Sequence, residues 1–261
     1  MGRNYWKIVN DVIESADILL EIVDARFPDI TRNEEIERKI IKAGKQYIIV
    51  MNKCDLTTQK HCEEWKTKLD NTVFISSKEH QGTKILREAI LKRTRKREIT
   101  IGVVGYPNVG KSSVINVLKG KASAKASSVS GFTRAVQRIK IANGMYMLDT
   151  PGVIPFKEND RAKHVLIGTV SYQKLKDPEA AAMQLIETLD GLIEGFYDVK
   201  GKDPLEVLEK IAMKKNKLIK GGEPDTGLMG RLIIKAWQEG KIREKKDIQK
   251  NKKSTDFKFT E

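Results

Sequence analysis

Cysteine and histidine are scarce in this chain of 261 residues. Its two cysteines, Cys54 and Cys62, are too few for a disulfide framework, and its three histidines stand at no ligand-like spacing. His61 and Cys62 are adjacent, but we interpret them as surface residues rather than as half of a zinc site. We therefore expect a reducing compartment, the cytoplasm, and no structural metal.

Long hydrophobic runs are missing as well. No stretch approaches the roughly 20 apolar residues that a membrane span needs, and residues 1–20 lack the continuous apolar region of a secretory signal. With 39% hydrophobic residues, the chain can still bury one good-sized core and a smaller satellite domain. The sequence predicts a soluble, folded protein, and we expect a monomer with no membrane association.

Acidic residues are outnumbered, because 35 Asp and Glu stand against 49 Lys and Arg and leave a net charge of +14. Residues 92–97 contain five of the basic side chains and residues 241–253 contain seven. A solvated basic surface without a partner is the simplest interpretation of such an excess. Clusters of this kind attract phosphate backbones and release counterions on binding, so the distribution favours nucleic acid, with an anionic membrane surface as the lesser alternative.

Short β-branched apolar runs alternate with amphipathic patterns in the first part of the chain. The apolar runs predict buried strands at residues 17–23, 46–51, 72–75 and 99–104. The amphipathic patterns predict helices at residues 34–43, 61–69, 84–95 and 110–120. This alternation indicates an α/β domain with a mainly parallel sheet. A hairpin is expected over residues 138–148, where Asn143-Gly144 favours a type I′ turn.

The strand pattern stops near residue 160. Asp177-Pro178 and Asp203-Pro204 each offer an N-cap followed by proline at the first helical position, and Asp225 marks a third helix start. Apolar residues then recur at helical spacing, which predicts a small all-α domain. The predicted boundaries are 1–158 for the α/β domain, 159–245 for the helical domain and 246–261 for a basic flexible tail.

A phosphate-binding loop is predicted at residues 105–112, which match G-x-x-x-x-G-K-[ST] between a predicted strand and a predicted helix. Gly105 and Gly110 let the backbone curl with its N–H groups inward, beside the positive end of the helix. Lys111 would neutralise the β- and γ-phosphates of a nucleotide, and the Ser112 hydroxyl would coordinate Mg²⁺. The candidate phosphate-binding residues are Asn108, Val109, Gly110, Lys111, Ser112 and Ser113.

Two further segments fit a nucleoside triphosphate with Mg²⁺. Asp149-Thr150-Pro151-Gly152 carries little information alone, but it follows a strand about forty residues after a phosphate loop. Asp149 would hold a Mg²⁺-bound water, and the Gly152 N–H would meet the γ-phosphate. Thr133 lies in a polar, glycine-containing loop where a switch threonine would reach Mg²⁺ only in the triphosphate state. The serines of that loop are rival candidates: Ser127, Ser128 and Ser130.

A base-reading segment is predicted at Asn52-Lys53-Cys54-Asp55, which ends another strand at the edge where ligands gather in α/β sheets. The Asp55 carboxylate can accept from guanine N1–H and N2–H₂. Adenine lacks that donor edge, so an ATP site is disfavoured. The stem of Lys53 can lie over the base. Ser76, Ser77 and Lys78 close the next strand and would offer a backbone N–H to guanine O6, although such a triplet alone fits any serine-rich turn.

The order of these motifs is unusual, because the base-reading segment precedes the phosphate loop. In the usual GTPase chain the phosphate loop comes first. With N-K-x-D, S-S-K, phosphate loop, Thr and D-x-P-G in this order, the chain resembles the circularly permuted GTPases of the YlqF/YawG type, which assist assembly of the large ribosomal subunit. Residues 24–28 look like that family's D-A-R-x-P segment, and residues 220–241 are similar to its C-terminal G-G-x-x-D helix.

This resemblance implies a GTPase that binds GTP and GDP with Mg²⁺ and K⁺ and docks on ribosomal RNA of the large subunit. Asn108 matches the asparagine associated with potassium binding in related proteins, and the catalytic contributions would fall to Lys111, Thr133 and Gly152. Val153 stands where Ras-type enzymes carry a water-positioning glutamine, which implies slow hydrolysis unless K⁺ or the ribosome supplies the missing charge. Residues 1–15 lack the histidine of the bacterial branch, so the chain looks nearer to archaeal and eukaryotic members and no catalytic base is carried over.

Two functions fit the sequence. The first is a GTP-hydrolysing, nucleotide-dependent switch in large-subunit assembly, and the alternative is an RNA-binding assembly module that uses GTP mainly as a structural or regulatory ligand. The permuted order leads from the switch segment after Asp149 directly into the helical domain. From this connectivity we hypothesise that the nucleotide state sets the orientation of the basic helices.

Overall fold

The computed structural model describes residues 2–94, 96–119, 128–129, 137–149, 165–168 and 171–243. Its contacts divide the chain into two compact units, Met1–Glu158 and Asn159–Glu261. Each unit has its own set of buried hydrophobic side chains. Within the described ranges, no helix has both the length and the apolar character needed to cross a membrane.

A seven-stranded sheet forms the centre of the first unit. Its strands in chain order are β1 Ile18–Asp24, β2 Gln46–Asn52, β3 Thr72–Ile75, β4 Ile99–Val104, β5 Ser128–Val129, β6 Gln137–Ala142 and β7 Met145–Asp149. The spatial order is β3-β2-β1-β4-β7-β6-β5, in which the first five strands are parallel and the last two pair antiparallel. The four predicted buried strands and their parallel pairing are therefore confirmed. The two-residue strand β5 was not predicted.

The helices of the first unit precede β1 or connect successive strands. They are α1 Gly2–Ser15, α2 Pro28–Thr31, α3 Glu34–Lys42, α4 Gln59–Lys68, α5 Thr83–Arg93 and α6 Lys111–Lys119. The four predicted helices are confirmed as α3 to α6. The predictions missed α1, although Val9, Val12, Ile13 and Ala16 recur at helical spacing and are all buried. Gly102 of β4 makes room for this helix, because a Cβ there would lie 2.9 Å from the Val12 side chain.

The predicted hairpin is present, but its turn differs from the expected one. β6 and β7 pair antiparallel across Asn143-Gly144. Only Gly144 of these two residues has a positive φ, at +70°, whereas a type I′ turn needs positive φ at both. The expectation of a type I′ turn is therefore wrong. The pairing register shifts between Lys140 and Ala142, and this irregularity changes the twist that the turn must match.

The described part of the second unit contains helices and an isolated antiparallel β-bridge between Leu218 and Pro224, with no strand. Its helices are α7 Pro178–Thr188, α8 Leu192–Tyr197, α9 Pro204–Lys214 and α10 Thr226–Gln238. The three predicted N-caps are confirmed, because Asp177, Asp203 and Asp225 each accept a hydrogen bond from a backbone N–H in the first helical turn. The short helix α8 was not predicted, since it follows Gly191 in a left-handed conformation without a side-chain cap.

Close approach of α7 and α10 organises the core of this unit. A Cβ on Gly230 of α10 would lie 2.4 Å from the carbonyl oxygen of Pro178 and 3.3 Å from Ala182. The small residues at this crossing therefore let the two helix backbones meet. Trp237, near the end of α10, is buried and donates from Nε1 to the Leu166 carbonyl oxygen over 2.8 Å.

Candidate nucleotide site

Parallel pairing brings the ends of four strands to one edge of the sheet. Asn52 ends β2, Ser76 follows β3, Gly105 follows β4 and Asp149 ends β7. Their strands are aligned with one another through β1, so the segments that follow them leave the sheet on the same side. Motifs that are far apart in the sequence therefore converge at the edge where open α/β sheets bind ligands.

The phosphate loop has the backbone that its glycines predict. Gly105 has a φ of +140°, and a Cβ there would lie 2.4 Å from the Ile22 carbonyl oxygen of β1. Gly110 has a φ of +98°, and helix α6 begins directly after it, at Lys111. Asn108 is also left-handed, with a φ of 61°. The loop thus curls tightly between β4 and the N-terminus of α6, as an anion-binding loop requires.

The side chain of Asn52 links three of the predicted motifs. Its Nδ2 donates to the Val109 carbonyl oxygen over 2.8 Å, and its Oδ1 accepts from the Ser77 backbone N–H over 3.1 Å. Asn52 and Val109 are both buried. A Cβ on Gly110 would lie only 2.2 Å from Asn52 Nδ2, so the amide packs directly on the phosphate loop. From the sequence, Asn52 is predicted to bind the base. In the structure its side-chain amide bonds the phosphate loop and the serine triplet to each other, and we call this pair of hydrogen bonds the Asn52 clamp.

Lys111 lies against the loop that it belongs to. Its Nζ donates to the carbonyl oxygens of Gly105, over 2.9 Å, and of Tyr106. Burial lowers the pKa of Lys111 to about 8, because the enclosed ammonium loses contact with water. A negative group near this ammonium would offset that loss, so the site is electrostatically suited to an incoming phosphate.

The base-reading segment makes a tight turn at the end of β2. Lys53 has a φ of 66°, and residues Cys54–Leu56 form a 3₁₀ turn that carries the half-exposed Asp55. Lys53 Nζ donates to Asp24 Oδ2 over 2.8 Å, a contact that the sequence did not predict. Burial lowers the pKa of Lys53, and the neighbouring Asp24 partly offsets this effect.

The serine triplet, Ser76 to Lys78, follows β3 at the same edge of the sheet. Ser76 is buried, pairs with Gln81 in an isolated β-bridge, and accepts at Oγ from the Glu79 N–H over 3.1 Å. The Ser77 N–H donates to Asn52, and Lys78 is exposed. Contact between this triplet and guanine O6 stays a prediction.

The candidate Mg²⁺ ligands fall partly outside the described residues. Ser112 and Ser113 are exposed in the first turn of α6, and Asp149 ends β7 beside the strand that carries the phosphate loop. Thr133 and Gly152 lie outside the described residues. In the part of the chain that the structure describes, no group of three or more His, Cys, Asp or Glu residues could hold a metal ion.

The two cysteines are buried, so the expectation that Cys62 lies on the surface is wrong. Cys62 lies on α4 and Cys54 in the turn before Asp55. Burial raises the pKa of Cys62 to about 12, which keeps this thiol protonated and unreactive at neutral pH. Cys62 therefore acts as a small hydrophobic side chain.

Sequence reasoning missed the contacts of Asp24, for which the resemblance to a D-A-R-x-P segment was one signal. A charged residue that ends a strand of buried apolar residues was a second signal, because such a charge needs a partner. Asp24 is completely buried and is bound by Arg26 and Lys53 at 2.8 Å each. Burial alone would raise the pKa of Asp24, but the two cations outweigh it and hold the pKa well below its usual range.

The sequence matches two protein-family models. One is described as RsgA GTPase and covers residues 7–158, and the other is described as 50S ribosome-binding GTPase and covers residues 100–218. The first match includes the base-reading segment and the phosphate loop in the order found here. The second extends from the phosphate loop into the helical unit.

Similar proteins come from archaea and fungi. An uncharacterized GTP-binding protein of Methanocaldococcus jannaschii is 40% identical over 90% of this chain and 65% of its own length. Nucleolar GTP-binding protein 2 of Neurospora crassa is 32% identical over 92% of this chain and 41% of its own length. The chain thus spans between two fifths and two thirds of the lengths of these relatives.

Two solved structures of YlqF share the fold. GDP-bound YlqF matches with a TM-score of 0.67 and 26% identity, over 90% of this chain and 96% of that one. GNP-bound YlqF from T. maritima also has a TM-score of 0.67, at 24% identity, over 91% of this chain and 94% of that one. The likeness thus extends across both units of the chain.

Proposed function

This chain belongs to the RsgA GTPase family, and on that premise we propose that it is a GTP-dependent switch in ribosome assembly. It binds GTP, hydrolyses it to GDP and phosphate, and associates with the large ribosomal subunit through ribosomal RNA. The observation that carries this proposal is the contact of one buried amide, Asn52, with both the phosphate loop and the serine triplet.

The phosphate loop supports triphosphate binding in the proposal. Lys111 moves its ammonium from the Gly105 and Tyr106 carbonyls to the β- and γ-phosphates. Ser112, Thr133 and Asp149 would hold Mg²⁺, Asp149 through a water. The exposed Ser112 hydroxyl and the position of Asp149 on the strand next to the phosphate-loop strand fit this ion, because Mg²⁺ prefers oxygen ligands and keeps several waters. When bound, the ion neutralises charge on the phosphates.

GTP hydrolysis by the isolated protein is slow in this proposal, because the proposed site has no side chain that positions the attacking water. Val153 cannot orient an attacking water, so the charge that develops on the γ-phosphate is met by Lys111, Gly152 and Thr133. Asn108 is the candidate ligand for K⁺, and its left-handed backbone places it within the curl of the loop. Replacing KCl by NaCl at equal ionic strength is therefore expected to lower the GTPase rate.

The ribosomal part of the proposal rests on the relatives and on charge. One matching family model is described as a 50S ribosome-binding GTPase, and the fungal relatives are nucleolar GTP-binding proteins. Of the basic cluster at residues 92–97, Lys92, Lys96 and Arg97 are exposed. Lys96 also bonds Asp17 over 2.5 Å, which leaves part of its charge locally compensated. RNA backbones are the partner class that such exposed clusters suit.

A second basic surface lies in the helical unit, at the end of α9 and in the segment that leads to α10. The segment 213–223 contains four lysines and only one acidic residue, and it exposes Met213 and Ile219 at 60% and 48%. The segment is held by backbone hydrogen bonds from Ile219 N to Glu223 O and from Asp225 N to Lys217 O, both 2.9 Å. Lysines on a backbone held in this way, beside exposed apolar side chains, suit phosphates and bases of RNA together.

Sedimentation with purified ribosomal subunits tests the proposal. The protein is incubated with each subunit in the presence of a non-hydrolysable GTP analogue, GDP or no nucleotide, and bound protein is measured in the pellet. We expect selective binding to the large subunit, strongest with the analogue. Equal binding with the analogue and with GDP would rule out a nucleotide-dependent switch.

The variant Lys111→Ala separates a switch from an assembly module that uses GTP as a structural ligand. A switch predicts that this variant fails to support cell growth although it folds normally. A structural role predicts little loss of growth as long as the variant stays folded.

A further inference from the structure

The D-A-R-x-P segment, Asp24 to Pro28, has no assigned part in the nucleotide site, yet it lies beside the base-reading turn. Asp24 and Asn52 are direct partners in the register of β1 and β2. The Ala25 N–H donates to the Asn52 carbonyl oxygen over 2.8 Å, beyond the end of β1. The two segments therefore leave the sheet together, with their backbones already bonded.

The Asp24 carboxylate is the centre of a buried group of charges. It accepts from Arg26 Nε over 3.0 Å, from Arg26 Nη2 over 2.8 Å and from the Arg26 backbone N–H over 3.1 Å. It also accepts from Lys53 Nζ over 2.8 Å. The Asp24 side chain is 0% exposed, that of Arg26 is 8% exposed and that of Lys53 is 19% exposed. Charges enclosed to this degree interact strongly, because little water screens them.

Lys53 connects this charge group to the base-reading turn. Its left-handed backbone, with a φ of 66°, directs the chain from Asn52 into the 3₁₀ turn that contains Asp55. A residue other than glycine is strained in this conformation, so contacts outside the turn must stabilise it. The ion pair between Lys53 Nζ and Asp24 stabilises the turn. Lys53 is then held at its backbone by the turn and at its ammonium by Asp24. The aliphatic stem is then held in one orientation, which suits packing on a planar base.

We propose that Asp24 is a positioning residue for guanine recognition, which it supports through its ion pair with Lys53. The inference rests on the proposed function, since it requires a guanine nucleotide at Asp55. Asp24 itself contacts no base. It holds the turn so that the Asp55 carboxylate can meet N1–H and N2–H₂ together, and discrimination between bases depends on that alignment.

A second ion pair of the same unit provides a matched control. Glu37 of α3 accepts from Arg32 Nε over 2.9 Å and from Arg32 Nη2 over 2.8 Å, and both side chains are largely enclosed. This pair lies in none of the candidate nucleotide motifs. Glu37→Gln and Asp24→Asn each remove one enclosed negative charge that an arginine binds, and each keeps the side-chain shape.

The test compares GDP with IDP, which lacks the 2-amino group of guanine. Dissociation constants for both are measured by calorimetry with the full chain as wild type, Asp24→Asn, Lys53→Met and Glu37→Gln. The wild type is expected to prefer GDP by about tenfold or more, since IDP keeps the N1–H donor but leaves the Asp55 carboxylate without the hydrogen bond from the 2-amino group. Asp24→Asn and Lys53→Met are expected to reduce this preference at least about threefold, and Glu37→Gln to leave it unchanged.

The double variant Asp24→Asn/Lys53→Met decides whether the two residues act as a pair. If Asp24 acts through Lys53, the double variant keeps the same GDP preference as the more affected single variant. If Asp24→Asn fails to fold by circular dichroism, Lys53→Met carries the test, because it leaves Asp24 paired with Arg26.

The positioning role of Asp24 and the proposed function are contradicted by different outcomes. An unchanged GDP preference in folded Asp24→Asn or folded Lys53→Met contradicts the positioning role while wild-type GDP binding stands. A wild type that binds neither GDP nor IDP contradicts the proposed function itself.

Discussion

Asn52 Nδ2 donates a buried hydrogen bond to the Val109 carbonyl oxygen over 2.8 Å. These two residues are 57 positions apart, one at the end of β2 and the other in the phosphate loop. The amide can hold two motifs together because it carries a donor and an acceptor, and its Oδ1 takes the Ser77 N–H. Rotation of the motif order along the chain therefore leaves the parts of the site in direct contact.

Replacing Asn52 by alanine is expected to destabilise the phosphate loop and the serine triplet together, and so to lower the affinity for GDP. The change leaves the Val109 carbonyl and the Ser77 N–H without their partner, and each buried unpaired group costs about 1–3 kcal/mol. Urea unfolding and GDP calorimetry should show lower stability and an affinity loss of at least about tenfold. Gln59→Ala is the control, because that exposed amide bonds only Glu63 in the described residues, and we expect it to change stability by less than about 0.5 kcal/mol. Unchanged GDP affinity in Asn52→Ala would contradict the clamp.

Replacing Gly110 by alanine is expected to abolish tight nucleotide binding. Gly110 has a φ of +98°, and the new Cβ would meet Asn52 Nδ2 at 2.2 Å, so both the backbone and the clamp must move. GDP affinity should fall at least about tenfold. Gly195→Ala is the matched control, since Gly195 is helical and nothing lies within 4 Å of its added Cβ. We expect that variant to keep GDP affinity and to gain slightly in stability. Equal GDP affinity in the two variants would show that the phosphate loop does not need this conformation.

Nucleotide binding is expected to take up a proton near pH 8. The pKa of Lys111 is lowered to about 8 by burial, so half of the free protein carries a neutral lysine at that pH. A bound phosphate favours the ammonium and raises this pKa, so binding weakens as the pH rises above 8. Calorimetry of GDP binding at pH 8 in buffers of different ionisation enthalpy should give an uptake of about half a proton. The uptake should vanish in Lys111→Met, and equal uptake in both proteins would assign the proton to another group.

Glutamate 21 is expected to make the first unit less stable as the pH rises. Burial, together with the charge of Glu37, raises the pKa of Glu21 well above its usual range. The folded chain therefore keeps a proton that the unfolded chain loses above about pH 4.3, and stability falls with pH until the folded pKa is passed. Glu21→Gln removes this titration. We expect its stability relative to wild type to increase by up to about 1.4 kcal/mol per pH unit above pH 5.

This prediction is measured by urea unfolding between pH 5 and pH 8. A Trp237→Phe background in both proteins leaves Trp6 and Trp65, which lie in the first unit, as the fluorescent reporters. A constant stability difference across this range would mean that Glu21 is ionised in the folded chain.

The parts of the fold that were predicted from sequence depend on local patterns. Strands β1 to β4 are nearly continuous apolar runs. The three aspartate N-caps of the second unit are set by residues within one helical turn. The phosphate loop was predicted for the same reason, because its glycines and lysine act within eight residues. Local energies decide these elements, so a single sequence reveals them.

The features that sequence missed depend on contacts between distant residues. Lys53 was expected to serve the base alone, but its ammonium bonds Asp24, which is 29 residues away. The turn of the β6–β7 hairpin differs from the type I′ turn that Asn-Gly favours, and the pairing register beside it shifts between Lys140 and Ala142. Helix α1 gains its stability from burial against β4 and α3, and no capping signal marks its start. The roles of Thr133 and Gly152 stay predictions.

The most direct test of the central claim is the base preference of the wild type and of Asp55→Asn, measured as dissociation constants for GDP, XDP and ADP. The wild type is expected to bind GDP at least about a hundredfold more tightly than ADP, because Asp55 accepts from a donor edge that adenine lacks. In Asp55→Asn the preference for GDP should be lost and the affinity for XDP should rise, since an amide can donate to the second carbonyl of xanthine. Equal binding of GDP and ADP by the wild type, or an unchanged GDP preference in Asp55→Asn, would contradict a guanine-nucleotide site at this edge of the sheet.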